Sequence, residues 1–98
     1  MTLPVFLSSP PLFYPGTVVA TQGVTEKVSD AELSFALSRH LQGDWGDVCL
    51  ADQKANDSAL LLDTRILSAY HTEKDHVKFW IITEADRSAT TVLLPDEY

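Results

Sequence analysis

The sequence holds three stretches whose side chains could do chemistry, and Thr83-Glu84-Ala85-Asp86-Arg87-Ser88 is the densest of them. In a functional reading, Glu84 and Asp86 form an acid/base or metal-binding pair and Arg87 clamps an anion. In the plainer reading the segment is a hairpin turn, with Asp86 and Ser88 satisfying turn amides and Arg87 paired with a carboxylate. Turns use these residue types for their own backbone, so Glu84, Asp86 and Arg87 are weak catalytic candidates. His71 and His76, with Glu73 and Asp75, flank the preceding turn and bring imidazoles near carboxylates. Their spacing matches no zinc pattern, and Cys49 and His40 would have to converge from elsewhere, so neither a metal nor another cofactor is expected. The sequence lacks G-x-x-x-x-G-K-[ST], G-x-S-x-G, H-E-x-x-H and paired C-x-x-C motifs.

The third stretch surrounds Trp45, which stands between Gly43-Asp44 and Gly46-Asp47. Trp is enriched at interface hot spots, although a Trp in a loop more often plugs a core. From residue 44 to residue 63, Asp44, Asp47, Asp52, Asp57 and Asp63 face only Lys54, a local net charge of -4. A solvated face is the plain reading. The sharper one is an acidic surface that docks on a basic protein groove by resembling the phosphate spacing of nucleic acid. Trp45, Asp47, Asp52 and Asp57, together with Trp80, are accordingly the expected protein-binding residues.

The elements that must position these groups belong to a chain of 98 residues with 14 acidic and 7 basic side chains, for a net charge of -7. That length suits one domain, residues 1–98, and its branched and aromatic content suits a folded one. One cysteine excludes a disulfide scaffold and fits a reducing cytoplasm. The acidity disfavours direct nucleic-acid binding. Residues 1–25 carry no charged side chain, yet Pro4, Pro10, Pro11 and Pro15 rule out a helical membrane span there, and no Lys or Arg opens a signal peptide. Residues 1–15 therefore read as an uncharged, Pro-rich arm whose Phe6, Leu12, Phe13 and Tyr14 cover an apolar surface of this domain or of a neighbouring subunit.

After the arm, Thr17–Thr21 reads as a short strand closed by Gly23. Ser29-Asp30-Ala31-Glu32 fits a capping box in which the Glu32 side chain returns to the Ser29 amide. Leu33, Ala36, Leu37, His40 and Leu41 then recur at helical spacing, giving a helix from Asp30 to Gln42. A second, more polar helix is expected from Ala51 to Leu61, with Ala55, Ala59 and Leu62 inward. From Thr64 the period falls to 2. Strands are expected at Arg65–His71, Val77–Thr83 and Ala89–Leu94, joined by turns at Thr72–His76 and Glu84–Ser88. The fold class is therefore α+β: an antiparallel sheet of three to four strands, the C-terminal meander plus a short N-terminal strand, packed with two helices. The middle strand is apolar on both faces, so Trp80 and Ile82 need a second cover. The arm or a second copy in a two-fold dimer would supply it.

Gly43-Asp44-Trp45-Gly46-Asp47, Arg65-Ile66-Leu67-Ser68-Ala69-Tyr70 and the stretch from Trp80-Ile81-Ile82-Thr83 to Leu93-Leu94-Pro95 resemble a family of small bacterial proteins, described as plasmid-related, from plasmids and integrated elements. The resemblance extends from about Tyr14 to Tyr98. It implies a mobile-element setting in the bacterial cytoplasm and supplies no catalytic residue, cofactor or substrate. A non-enzymatic interaction module with an unknown protein partner is the favoured expectation. One version is an anti-defence inhibitor of a restriction or CRISPR complex that occupies a nucleic-acid groove. A small hydrolase or nuclease centred on Glu84, Asp86 and Arg87, with His71 as a further candidate, is the alternative.

Overall fold

Strict alternation after Thr64 becomes a meander of β2 (Ile66–His71), β3 (Lys78–Thr83) and β4 (Ala89–Leu93) in the computed structural model, which describes residues 10–98. The expected Pro4 and Phe6 part of the arm lies outside the described residues. Ile66 pairs with Thr83, Tyr70 with Phe79, and Trp80 with Leu93, so both contacts of β3 are antiparallel. This register puts Ile66, Ser68, Tyr70, Phe79, Ile81, Thr83, Thr90 and Val92 on one face.

The fourth strand corrects the expectation of a purely antiparallel sheet. β1 (Thr17–Ala20) lies beside β4 and runs parallel to it, with Thr17 opposite Ala89 and Ala20 opposite Val92, so the sheet is mixed in the order β1-β4-β3-β2. Tight turns dictate direction only for strands they join, and a long helical crossover separates β1 from the meander. The Thr17 amide donates to the Ser88 carbonyl at 3.0 Å, and the Thr21 amide to Val92 at 3.0 Å. Entry at this edge needs Gly16: its φ is +66°, and a Cβ there would lie 2.3 Å from the Ser88 backbone.

Among the described residues, three helices, not two, precede the meander. α1 (Gln22–Lys27) occupies residues expected to lie beyond the strand end; the Thr21 hydroxyl accepts from the Val24 amide, and Val24 is fully buried. α2 (Asp30–Leu41) begins at the Ser29 cap, where the Ser29 hydroxyl accepts from the Glu32 amide at 3.2 Å. The Glu32 carboxylate accepts from the Ser29 hydroxyl and, through its other oxygen, from the Glu73 amide at 3.2 Å. It thus spans from helix to hairpin instead of closing on the Ser29 amide.

α3 (Leu50–Leu62) turns Asn56 and Ala59 inward, while Ala55 and Leu62 are exposed. The expected inward stripe of Ala55, Ala59 and Leu62 is therefore rotated, and Asn56 explains why. Its side-chain amide donates to the Leu67 carbonyl at 2.8 Å and its oxygen accepts from the Leu67 amide at 3.2 Å. Asn56 thereby satisfies the outer edge of β2 at Leu67 as a neighbouring strand would. One pair of residues further along, the Asp47 amide donates to the Ala69 carbonyl and the Ala69 amide to Trp45. A Cβ on Gly46 would approach the Ala69 oxygen to 2.0 Å, so the close bridge needs glycine.

The main core lies between the inner sheet face and α1 and α2, where Val24, Val28, Leu33, Leu37, Phe79, Ile81 and Val92 form one buried cluster. On the opposite face, Tyr98 stands edge-on to Trp80 at 5.8 Å between ring centres, and Arg65 lies over Tyr98. The second apolar face is thus covered in part by the segment around the C-terminal 3-10 turn (Pro95–Glu97). Among the described residues, no helix is long and apolar enough to cross a membrane.

Candidate functional site

The first arrangement with a chemical look is internal. His40 Nδ1 lies 2.6 Å from the Ser68 hydroxyl and Nε2 lies 2.8 Å from Thr83; Thr83 is 2.7 Å from Thr90, whose hydroxyl donates to the Pro15 carbonyl at 2.7 Å. A carbonyl only accepts, so the direction of the whole chain follows. Thr90 gives its proton to Pro15 and accepts from Thr83; Thr83 accepts from the Nε2 proton of His40; Nδ1 is left to accept from Ser68. His40, Ser68, Thr83 and Thr90 are all fully buried, so the hydroxyl and imidazole pair meets no solvent-borne substrate. Burial, aided by the charge of Arg87, pushes the His40 pKa down to about 3. The network ties α2, β2, β3, β4 and the arm together around a neutral imidazole, with Phe13 and Trp45 packed edge-on against the ring.

In the 84–88 turn, the guanidinium of Arg87 is given over to backbone carbonyls. Nη2 donates to Ala59 at 2.8 Å, and Nη1 to Thr64 at 2.7 Å and Glu84 at 3.1 Å. Its partners are carbonyls near the end of α3 and in its own turn, not the carboxylate foreseen in the plainer turn reading. Asp86 accepts from the Ser88 amide at 3.0 Å, and the hydroxyl and amide of Ser88 hold its carboxyl below the usual range. Glu84 is exposed.

The acidic stretch is dispersed among separate tasks. Trp45 is buried and donates through its indole to Asp57 at 2.9 Å, so the surface here presents Asp57 and not the ring. Asp44 takes a bidentate pair of bonds from Arg39 at 2.7 and 3.1 Å, which holds its carboxyl low and raises the guanidinium. Asp52 is exposed on α3, and Asp63 ends that helix in the left-handed region. Trp80 is half-buried beneath Tyr98. Cys49 is exposed at the N-cap of α3, and among the described residues no group of three or more His, Cys, Asp or Glu side chains is placed to hold a metal ion.

What the fold does build is a groove of about 450 Å³ between the flank of α2 and the end of β2. Ala31, Phe35, Ala36, Tyr70 and Phe79 give it apolar surface; Glu32, Arg39, Asp47, His71 and Glu73 give it charge and polarity. Its wall is fixed. Arg39 stacks on Tyr70 at 4.8 Å, the Tyr70 hydroxyl donates to the Asp44 carbonyl at 2.7 Å, and His71 Nδ1 meets Asp47 at 2.5 Å. Phe35 is 68% exposed on this flank. The groove thus gathers His71, Glu73 and Asp47 from the residues singled out in the sequence and leaves Glu84, Asp86 and Arg87 outside it. Arg39 and Phe35 were not among those residues, although a Phe off the Leu33, Ala36 and Leu37 stripe was a readable signal. No family model, curated protein or solved structure matches the chain.

Proposed function

We propose that the protein is a non-enzymatic interaction module of bacterial mobile elements, acting in the cytoplasm, and that the groove beside α2 holds its protein partner. The carrying observation is Phe35. A large aromatic ring 68% exposed at a concave, partly apolar surface is dispensable for the core and suited to an interface anchor. Arg39, Asp44 and Tyr70 bond one another and His71 bonds Asp47, so these side chains are partly ordered before a ligand arrives. The resemblance of residues 43–47, 65–70 and 80–95 to plasmid-related proteins supports the setting.

The test is affinity capture from a bacterial host with the intact chain, the Phe35→Ser variant and the Asp86→Ala variant, accompanied by nucleic-acid hydrolysis assays. A discrete partner that Phe35→Ser loses and Asp86→Ala keeps, with all three proteins melting alike, is the expected result. Hydrolysis abolished by Asp86→Ala without unfolding would support the nuclease reading instead.

A further inference from the structure

Resting on that reading, we propose that the groove takes a basic, extended protein segment, with its Lys or Arg side chains set against Asp47 and Glu73 and an apolar side chain set against Phe35. Charge complementarity carries the choice of occupant. Among the described residues, Glu32, Asp47 and Glu73 line the groove against the Arg39 guanidinium, already matched by Asp44, and the His71 imidazole, already bonded to Asp47. The rim is therefore net negative where a ligand would meet it. The acceptors also differ in what they have left to give. Both Glu32 oxygens are occupied, by the Ser29 hydroxyl and the Glu73 amide, and both Asp44 oxygens by Arg39. Asp47 uses only Oδ2, on His71, and the Glu73 carboxylate makes no bond within the described residues. Asp47 and Glu73 thus keep oxygens that accept no bond among the described residues, the sites most open to cationic donors, beside an apolar surface that rewards a neighbouring aliphatic or aromatic group. A polyanion would meet the same carboxylates as repulsion, which favours protein over nucleic acid.

The experiment measures fluorescence anisotropy of labelled short peptides that alternate Lys with Leu and Phe, against otherwise identical peptides with Gln or Glu in place of Lys, and against oligothymidylate. The intact chain is compared with Glu73→Lys, Phe35→Ser and, as a control away from the groove, Asp52→Lys. All three sites are exposed, and matching thermal melts verify that the variants fold. The Lys peptide should bind more weakly as salt rises. Reversing Glu73 should weaken it about fivefold or more, as expected for one lost ion pair and one added repulsion. Phe35→Ser should abolish saturation, and Asp52→Lys should change affinity less than about twofold on the same scale.

Binding of the Gln or Glu peptide as tight as that of the Lys peptide, or equal losses for Asp52→Lys and Glu73→Lys, would overturn the charge assignment. The groove reading would survive that result if Phe35→Ser still prevented binding. Tighter binding of oligothymidylate, or no saturable binding of any peptide, would overturn this proposal, whereas host capture unaffected by Phe35→Ser would overturn the groove reading on which it rests.

Discussion

His40 Nε2 and the Thr83 hydroxyl, 43 residues apart in sequence, meet at 2.8 Å inside the core, and because Thr90 donates onward to Pro15, Nε2 is the nitrogen that carries the proton of the neutral imidazole. Its folded pKa, about 3, lies below the ordinary value of 6.5. Between those limits the unfolded chain gains a proton that the folded chain refuses. The contribution is therefore fully present above pH 6.5 and is lost as pH falls toward 3, at a slope approaching ~1.4 kcal/mol per pH unit. Urea midpoints between about pH 7 and 5, a window above the ordinary carboxylate range, should fall for the native chain. A His40→Gln variant should lose most of that slope.

Thr90 carries the network to the arm by donating to Pro15. Replacing it by Val keeps the shape and removes both its donor and its acceptor, leaving the Thr83 hydroxyl proton without an acceptor and the Pro15 carbonyl without the Thr90 donor. Denaturant unfolding of Thr90→Val should show a loss of about 1–3 kcal/mol. Amide exchange at Thr17, whose bond to Ser88 lies just beyond Pro15, should accelerate.

Asn56 closes the edge of β2 through two bonds to Leu67. Asn56→Leu would strand both backbone groups, so it should destabilise by about 1–3 kcal/mol despite its greater hydrophobicity. Asn56→Asp keeps the acceptor for the Leu67 amide and loses the donor to its carbonyl. Hydrogen exchange should show fast exchange of the Leu67 amide in the Leu variant and slower exchange in the Asp variant.

Arg87 bonds several carbonyls with one planar guanidinium. Lysine supplies a compact charge on a flexible stem and lacks that fork. Arg87→Lys should therefore recover little of the stability lost in Arg87→Ala, as judged by urea titration. Equal stability of native and Lys variants would show that charge alone suffices at this turn.

These predictions draw on features of unequal legibility. The Ser29 cap, the Leu33 to Leu41 stripe and the alternation after Thr64 are local signals, and they place α2, β2, β3 and β4 to within a residue at each end. The direction of β1 depends on a pairing with β4 that spans most of the chain, and no local turn encodes it. α1 was hidden by Gly23, a poor helix former, although Thr21 stood in position to cap it. Asn56 read as a polar outward residue because nothing in α3 announces that the backbone of β2 will need its amide.

The candidate site follows the same division. Thr83 on the face of Phe79 and Ile81, and Ser68 between Ile66 and Tyr70, were polar residues on inward faces, which was a sign that something polar must meet them. That the partner is His40 emerges only from the packing of α2 on the sheet. The groove joins Phe35 and Arg39 of α2 to Asp47 of a loop and His71 of β2, a conjunction that depends on the three-dimensional arrangement.

Photo-crosslinking in the bacterial host asks whether the groove beside α2 meets a protein, with a crosslinking amino acid placed in turn at Phe35, at exposed Ser58 on α3 and at Asp86 in the 84–88 turn. A discrete protein adduct at position 35, absent at 58 and 86, is the predicted result. Adducts at 58 or 86 with none at 35 would contradict it.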